Sequence, residues 1–228
     1  MLTLIDSDLV CYRCAASAEN EPEDIAILRV DKLMREILEK TGAEEYKSFL
    51  TGTENFRYIV NPEYKANRKD KPRPVHLNAC KEFLITEWNT KVTIGHEADD
   101  ELGFNQTNET IIASIDKDLL QIPGLHFDWV KNELKEVSEI EGIKHFYRQL
   151  LIGDRTDNIF GIDGIGPVKA GKLIDHFIYE IDMYKTVKGL YDNDKRFLVN
   201  CDCLWIMRRE DERFSNRESA RKFKDSGW

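Results

Sequence analysis

Two short apolar runs constrain this chain more than anything else in it. LTLI at residues 2–5 ends on Asp6, and IIASI at residues 111–115 ends on Asp116. Such runs, without polar alternation, read as strands covered on both faces, as in a parallel sheet between helices. Around them the period changes. Residues 7–18 read as helix. Residues 24–40 carry Ile25, Leu28, Leu33 and Ile37 at helical spacing, with Gly42 as a stop. Residues 46–50, 92–94 and 126–130 are further strand candidates, and 78–88 and a segment from about Glu97 are further helices. The alternation predicts an α/β fold over residues 1–140, a mostly parallel central sheet flanked by helices. From about residue 141 to 228 the chain reads as helices and tight turns, a second, helical region.

Composition narrows the class. The 228 residues are 41% hydrophobic and 33% charged, which suits a folded soluble protein. No run approaches the roughly 20 apolar residues of a membrane span, so no membrane role is expected. The first residues lack a basic region and meet acids at once, so no export signal is expected, and reduced thiols in a cytoplasm follow. Cys11-x-x-Cys14 has no second pair to complete a zinc site and reads as structural. The net charge of −9 argues against a nucleic-acid partner, but net charge hides local fields. Residues 57–81 carry Arg57, Lys65, Arg68, Lys69, Lys71, Arg73 and Lys81 against only Glu63 and Asp70, and the stretch from Arg208 to Lys224 is also basic. Charge alone favours solvated basic loops.

The acids are more telling. They fall in four clusters: Asp6 with Asp8; Glu97, Asp99 and Asp100; Asp116 with Asp118; Asp154 with Asp157. Two clusters follow apolar runs, and ligands of open α/β sheets bind outside the carboxyl ends of the strands. Asp154 and Asp157, three apart, would share a face on a helical turn. Any one D-x-D is usually a turn or a cap. Several carboxylates pressed together would repel each other unless a hard cation held them. Two such ions can activate a water and stabilise the leaving oxygen of a phosphodiester.

The sharpest segment spans residues 151–177, LIGDRTDNIFGIDGIGPVKAGKLIDHF. Gly161, Gly164 and Gly166 precede a helix opened by Pro167, a favoured first-turn residue. Free N–H groups at such a helix start face a phosphate, and Lys169 and Lys172 add charge. A backbone cradle of this kind carries no sequence preference.

These motifs together resemble the flap endonuclease and 5′-to-3′ exonuclease superfamily. LIDSD resembles its first-strand aspartate motif, GHEADDE its E-A-D-D motif and SIDKD its T/S-x-D-x-D motif. GDRTDNIFGIDGIGPVKA resembles the segment leading into its helix-hairpin-helix, and NPEYKANRK its basic gateway above the metals. The spelling of the gateway and the short length are most similar to bacteriophage members. The resemblance spans residues 3 to about 177. It implies a PIN-like nuclease core with a gateway loop at about 61–76 and a helix-hairpin-helix at about 151–177. It implies that Asp6, Glu97, Asp99, Asp100, Asp116, Asp118, Asp154 and Asp157 hold two Mg²⁺ or Mn²⁺ ions. Asp6 and Asp116 would be central to catalysis, and Lys65 and Arg68 would stabilise charge on the scissile phosphate. Tyr64 would stack on a base or pack the gateway. Residues Gly161 to Lys172 would grip duplex DNA beside a K⁺ ion. The implied partner is DNA with a free or flapped 5′ end, or an RNA–DNA hybrid; no protein partner is indicated.

One position departs from the pattern. The family carries a further aspartate at the end of the second strand, where this chain reads SFLTGTENFR, with Thr51 or Gly52 in its place. Glu54 and Asp8 are the candidate substitutes. The gap keeps open a branched-DNA-binding protein with a degraded site. Asp6-Ser7-Asp8 with GDRTDN also permits a haloacid-dehalogenase-like phosphatase, which leaves GHEADD, SIDKD and the hairpin unexplained.

Overall fold

The computed structural model describes residues 1–217. The elements in chain order are β1 (Leu2–Asp6), α1 (Ser7–Ser17), α2 (Glu23–Thr41), β2 (Glu45–Leu50), α3 (Phe56–Val60), α4 (Leu77–Glu87), β3 (Lys91–Val92), α5 (Ala98–Asn105), β4 (Thr110–Ala113), β5 (Gly124–Asp128) and β6 (Glu133–Val137). Then follow α6 (Glu139–Ile152), β7 (Gly153–Asp154), β8 (Ile159–Phe160), α7 (Pro167–Ile174), α8 (Glu180–Leu190) and α9 (Asp194–Leu204). They form two compact units. The first comprises Met1–Asn55, Pro72–Leu119 and Gly124–Val137; the second comprises Phe56–Lys71, Leu120–Pro123 and the chain from Ser138.

The first unit is built on a six-stranded sheet in the order β3-β2-β1-β4-β5-β6. All pairs are parallel except β5 with β6. The α/β expectation holds, with the antiparallel edge strand β6 added. Both faces of the sheet's centre are covered, as the uninterrupted apolar runs require. Ile5, Leu50, Ile111, Ala113 and Phe127 face a core shared with α1, α2 and α4. Gly42 caps α2 in the left-handed conformation, as its position suggested. Two strands are shorter than expected. β3 stops at Val92 and β4 stops at Ala113, although Ser114 N still donates to the Phe127 carbonyl at 3.1 Å. Neither Glu97 nor Asp116 therefore follows a strand directly.

The order of strands creates a switch point. The chain leaves β1 through α1 and α2 to β2 on one side, and returns through α5 to β4 on the other. Asp6 ends β1 beside this divide, where open α/β sheets bind ligands.

The second unit is helical, with an aromatic core. Phe146 lies 5.1 Å, centroid to centroid, from both Trp205 and Phe214. Buried Arg57 on α3 donates to the Cys203 and Trp205 carbonyls at 2.9 and 2.8 Å. It is a structural cation, not part of an exposed basic surface. All five cysteines are buried free thiols, and burial pushes Cys14 up to about 12 and Cys80 up to about 11. No described helix is long and apolar enough to cross a membrane. Of the basic stretch to Lys224, the part beyond Arg217 lies outside the described residues.

Candidate active site

In the first unit, the carboxylates are built around Asp6. Asp6 caps α1, accepting from Leu9 N at 3.3 Å, and its second oxygen accepts from Ser114 Oγ at 2.7 Å. Ser114 Oγ also accepts from Asp116 N at 2.9 Å, so one hydroxyl ties the ends of β1 and β4 together across the switch point. Burial, with the charges of Asp8 and Asp116 adding to it, raises Asp6 from 3.8 to about 7, against the opposing Ser114 hydrogen bond. A carboxylate so burdened suits a cation.

Its neighbours hold other partners. Asp8 pairs with Lys81 at 2.9 Å and accepts from Thr51 N at 2.9 Å. Asn55 donates to buried Glu97 at 2.8 Å, and Glu97 N donates to the buried Asp100 carboxylate at 3.1 Å, a local cap on α5. Asp116 accepts from Asp118 N at 2.8 Å. Asp99 is half-buried in the first turn of α5. Among the described residues no group of three or more His, Cys, Asp or Glu side chains is arranged to hold a metal ion. In this structure these acids bond the loops that carry them. The donor chemistry fits a hard cation, being all oxygen around the buried Asp6.

The structure also accounts for the missing aspartate. A Cβ at Gly52 would lie 2.1 Å from the Thr93 carbonyl oxygen. The end of β2 passes so close to the loop after β3 that only glycine fits. Of the proposed substitutes, Glu54 is exposed and Asp8 is held by Lys81. The roles of Lys81, Ser114, Thr51 and Asn55 as carboxylate partners escaped the sequence reading. No local motif marks them, because their partners lie 42 to 108 residues away.

In the second unit, the gateway segment lies on the GDRTDN loop. Tyr64 is buried, and its hydroxyl donates to Asp157 Oδ2 at 2.8 Å. It packs the gateway rather than presenting a ring to a base. Lys65 Nζ lies 3.6 Å from the same oxygen, and Arg68 pairs with Asp157 Oδ1. Asp154 and Asp157 do not sit on a helical turn. Asp154 ends β7, and its Oδ1 accepts from Thr156 N at 2.7 Å, shaping the hairpin that returns as β8. The polar run GDRTDN closes a two-residue ladder instead of extending α6.

Beyond it, α7 begins at Pro167 with Gly166 as its N-cap. Gly164 takes φ +73° with open space around it, while Gly161 is needed for packing: its Cβ would meet the Ile152 carbonyl carbon at 2.4 Å. Gly164 and Gly166 therefore present backbone to solvent, and Gly161 does not. Lys169 and Lys172 are exposed on α7.

No family model matches the chain. Individual relatives do. The chain is 30% identical over 230 residues to a 5′-3′ exonuclease of Mycoplasma genitalium, covering 83% of this chain and 74% of that one. It is 28% identical over 221 residues to a 5′-3′ exonuclease of Buchnera aphidicola, covering 84% and 73%. It is 34% identical over 150 residues to an exodeoxyribonuclease of phage T3, covering 61% of this chain and about half, 49%, of that protein. Among solved structures, phage T5 D15 protein co-crystallised with metal ions superposes with a TM-score of 0.64 at 16% identity, over 87% of this chain and 86% of that one. The T5 D15 flap endonuclease in a complex with DNA and metal ions gives 0.55 at 15%, over 99% and 97%. The chain belongs to the 5′-3′ exonuclease family. That membership displaces the phosphatase reading.

Proposed function

We propose that this 5′-3′ exonuclease hydrolyses DNA phosphodiester bonds near 5′ ends using divalent metal, Mg²⁺ or Mn²⁺ and two ions, and that it also cuts 5′ flaps and removes RNA from hybrids. The observation that carries the reading is Asp6, buried at the switch point, bridged to the Asp116 loop through Ser114 and raised to about 7. Metal bound there supplies charge neutralisation and an activated water. Asp6, Asp116 and Asp118 are its proposed ligands in the first unit, with Glu97, Asp99 and Asp100 recruited as their local bonds exchange. Asp154 and Asp157 are the proposed metal-site carboxylates of the second unit. Lys65 and Arg68 stabilise negative charge on the phosphate. Gly164, Gly166, Lys169 and Lys172 hold the duplex backbone, with K⁺ as the expected ion at the hairpin. Residues 1–140, with the gateway loop, are then the proposed nuclease core and residues 141–228 the proposed helical DNA-binding region, in the cytoplasm.

The test uses duplex DNA labelled at either end, with Mg²⁺ or with EDTA. Short labelled products should leave the 5′ end only, with Mg²⁺ only, and Asp6→Ala or Asp116→Ala should abolish them. Trimming from 3′ ends would refute the polarity. Binding to branched DNA without any metal-dependent cleavage would leave the degraded-site reading.

A further inference from the structure

We infer that the hairpin reads sugar as well as phosphate: the apolar side chains of Phe160 and Val168 flank its glycine cradle and pack against deoxyribose, so the strand held there must be DNA. The inference rests on the duplex grip proposed above and names the chemistry of the strand that is gripped. A lone exposed apolar residue needs no explanation, but two that bracket a phosphate cradle do. Phe160 is 66% exposed and Val168 is 76% exposed. They stand four residues before exposed Gly164 and two after exposed Gly166. Gly161 and Ile165 between them are buried, so the segment turns its packing residues inward and still leaves these two outside. In the chain, Phe160 also lies between the acids Asp154 and Asp157 and the cradle that follows.

The main chain beneath both side chains is anchored. Phe160 pairs with Gly153 in the ladder of β7 and β8. Its carbonyl accepts from Arg196 Nη2 at 3.1 Å and from Asn200 Nδ2 at 2.9 Å. Asn200 also donates to the Tyr191 hydroxyl at 3.1 Å, and that hydroxyl donates to the Leu150 carbonyl at 2.6 Å. Val168 is the second residue of α7, whose inner face is seated by buried Ala170 and Ile174. The surrounding charge suits a nucleic-acid strand. Lys169 and Lys172 are exposed on α7, and the Arg196 guanidinium binds the Phe160 and Gly161 carbonyls. A strand lying in the cradle alternates phosphate with sugar. Free N–H groups suit the phosphate, and apolar side chains suit the C2′ methylene of deoxyribose. A ribose 2′-hydroxyl pressed against phenyl or isopropyl would lose its water without gaining a partner. In an RNA–DNA hybrid the hairpin therefore holds the DNA strand.

The test is a ribonucleotide walk read by binding to the full chain. Duplex DNA of one sequence carries a single ribonucleotide, moved stepwise along each strand, and affinity is measured by fluorescence anisotropy with Ca²⁺ in place of Mg²⁺. With wild type, one or two neighbouring positions in one strand should weaken binding about fivefold or more, and the rest less than about twofold. Phe160→Ser and Val168→Ser should each remove the penalty at such a position, whereas Phe160→Leu should keep most of it. Each penalty is a ratio within one protein, so a partly unfolded variant does not mimic its loss. Phe160→Ser should also weaken binding to all-DNA duplex about threefold or more with the slope of log affinity against log salt unchanged, since an apolar contact releases no counterions. A walk with no sensitive position, a penalty that survives in both serine variants, or a salt slope that falls in Phe160→Ser would each overturn the inference. Sugar-selective binding without cleavage would sink the nuclease reading and leave this one standing; cleavage with no sensitive position would do the reverse.

Discussion

At the scale of single residues, Asp6 and Gly52 show how a backbone position sets side-chain chemistry. Asp6 is buried because it ends a central strand, and its carboxyl rises from 3.8 to about 7 in consequence. Between those values the folded protein binds a proton that the unfolded chain has lost. Stability of the metal-free protein should therefore be highest below pH 4 on this group's account, fall as pH rises through about 7, and then level off. Every tenfold difference in proton affinity between the folded and unfolded chain corresponds to about 1.4 kcal/mol. In EDTA, Asp6→Asn should flatten urea-denaturation midpoints between pH 5 and 8 and be the more stable protein at pH 8; parallel wild-type and variant curves would contradict this. Gly52 carries the opposite lesson. Gly52→Asp restores the family's residue type, yet it should cost about 1–3 kcal/mol in thermal denaturation, because its Cβ would strike the Thr93 carbonyl. It should gain no Mn²⁺ affinity.

At the scale of elements, the helix–hairpin–helix from α6 to α7 separates glycines that look alike in sequence. Gly161→Ala would force a Cβ into the backbone of Ile152 and Gly153, whereas Gly164→Ala meets open space and suffers only from its φ of +73°. Gly164→Ala should thus cost about 1 kcal/mol and Gly161→Ala roughly 2–4, measured by chemical denaturation. Equal costs would mean the hairpin packs otherwise. The hairpin was legible in GIDGIGPVKA, since Pro167 and the glycines signal a helix start locally. The ladder of β7 and β8 was not, because two-residue strands have no periodicity to read. That omission placed Asp154 and Asp157 on a helix they do not occupy. The short β3 and β4 were overextended for the related reason that apolar side chains continue past the last ladder bond.

At the scale of the molecule, a net charge of −9 coexists with a proposed DNA partner because the charges are sorted. Exposed Lys169 and Lys172 stand on α7, while acids gather at the carboxyl ends of β1 and β4. Replacing both lysines with alanine should weaken duplex binding alike for unrelated sequences and reduce the slope of log affinity against log salt by about 2. An unchanged slope would show that the duplex lies elsewhere. The amino-acid sequence by itself determined the parallel sheet, the rim that carries Asp6, the hairpin and the family resemblance. Each of these is written in short-range patterns: apolar runs, helical spacing, glycine and proline placement. Only the tertiary structure decided what each acid touches. Ser114 on Asp6, Lys81 on Asp8, Asn55 on Glu97 and Arg68 on Asp157 join residues 42 to 108 positions apart. A hydrogen bond requires a donor within about 3 Å of its acceptor, and only the folded chain brings such distant residues that close.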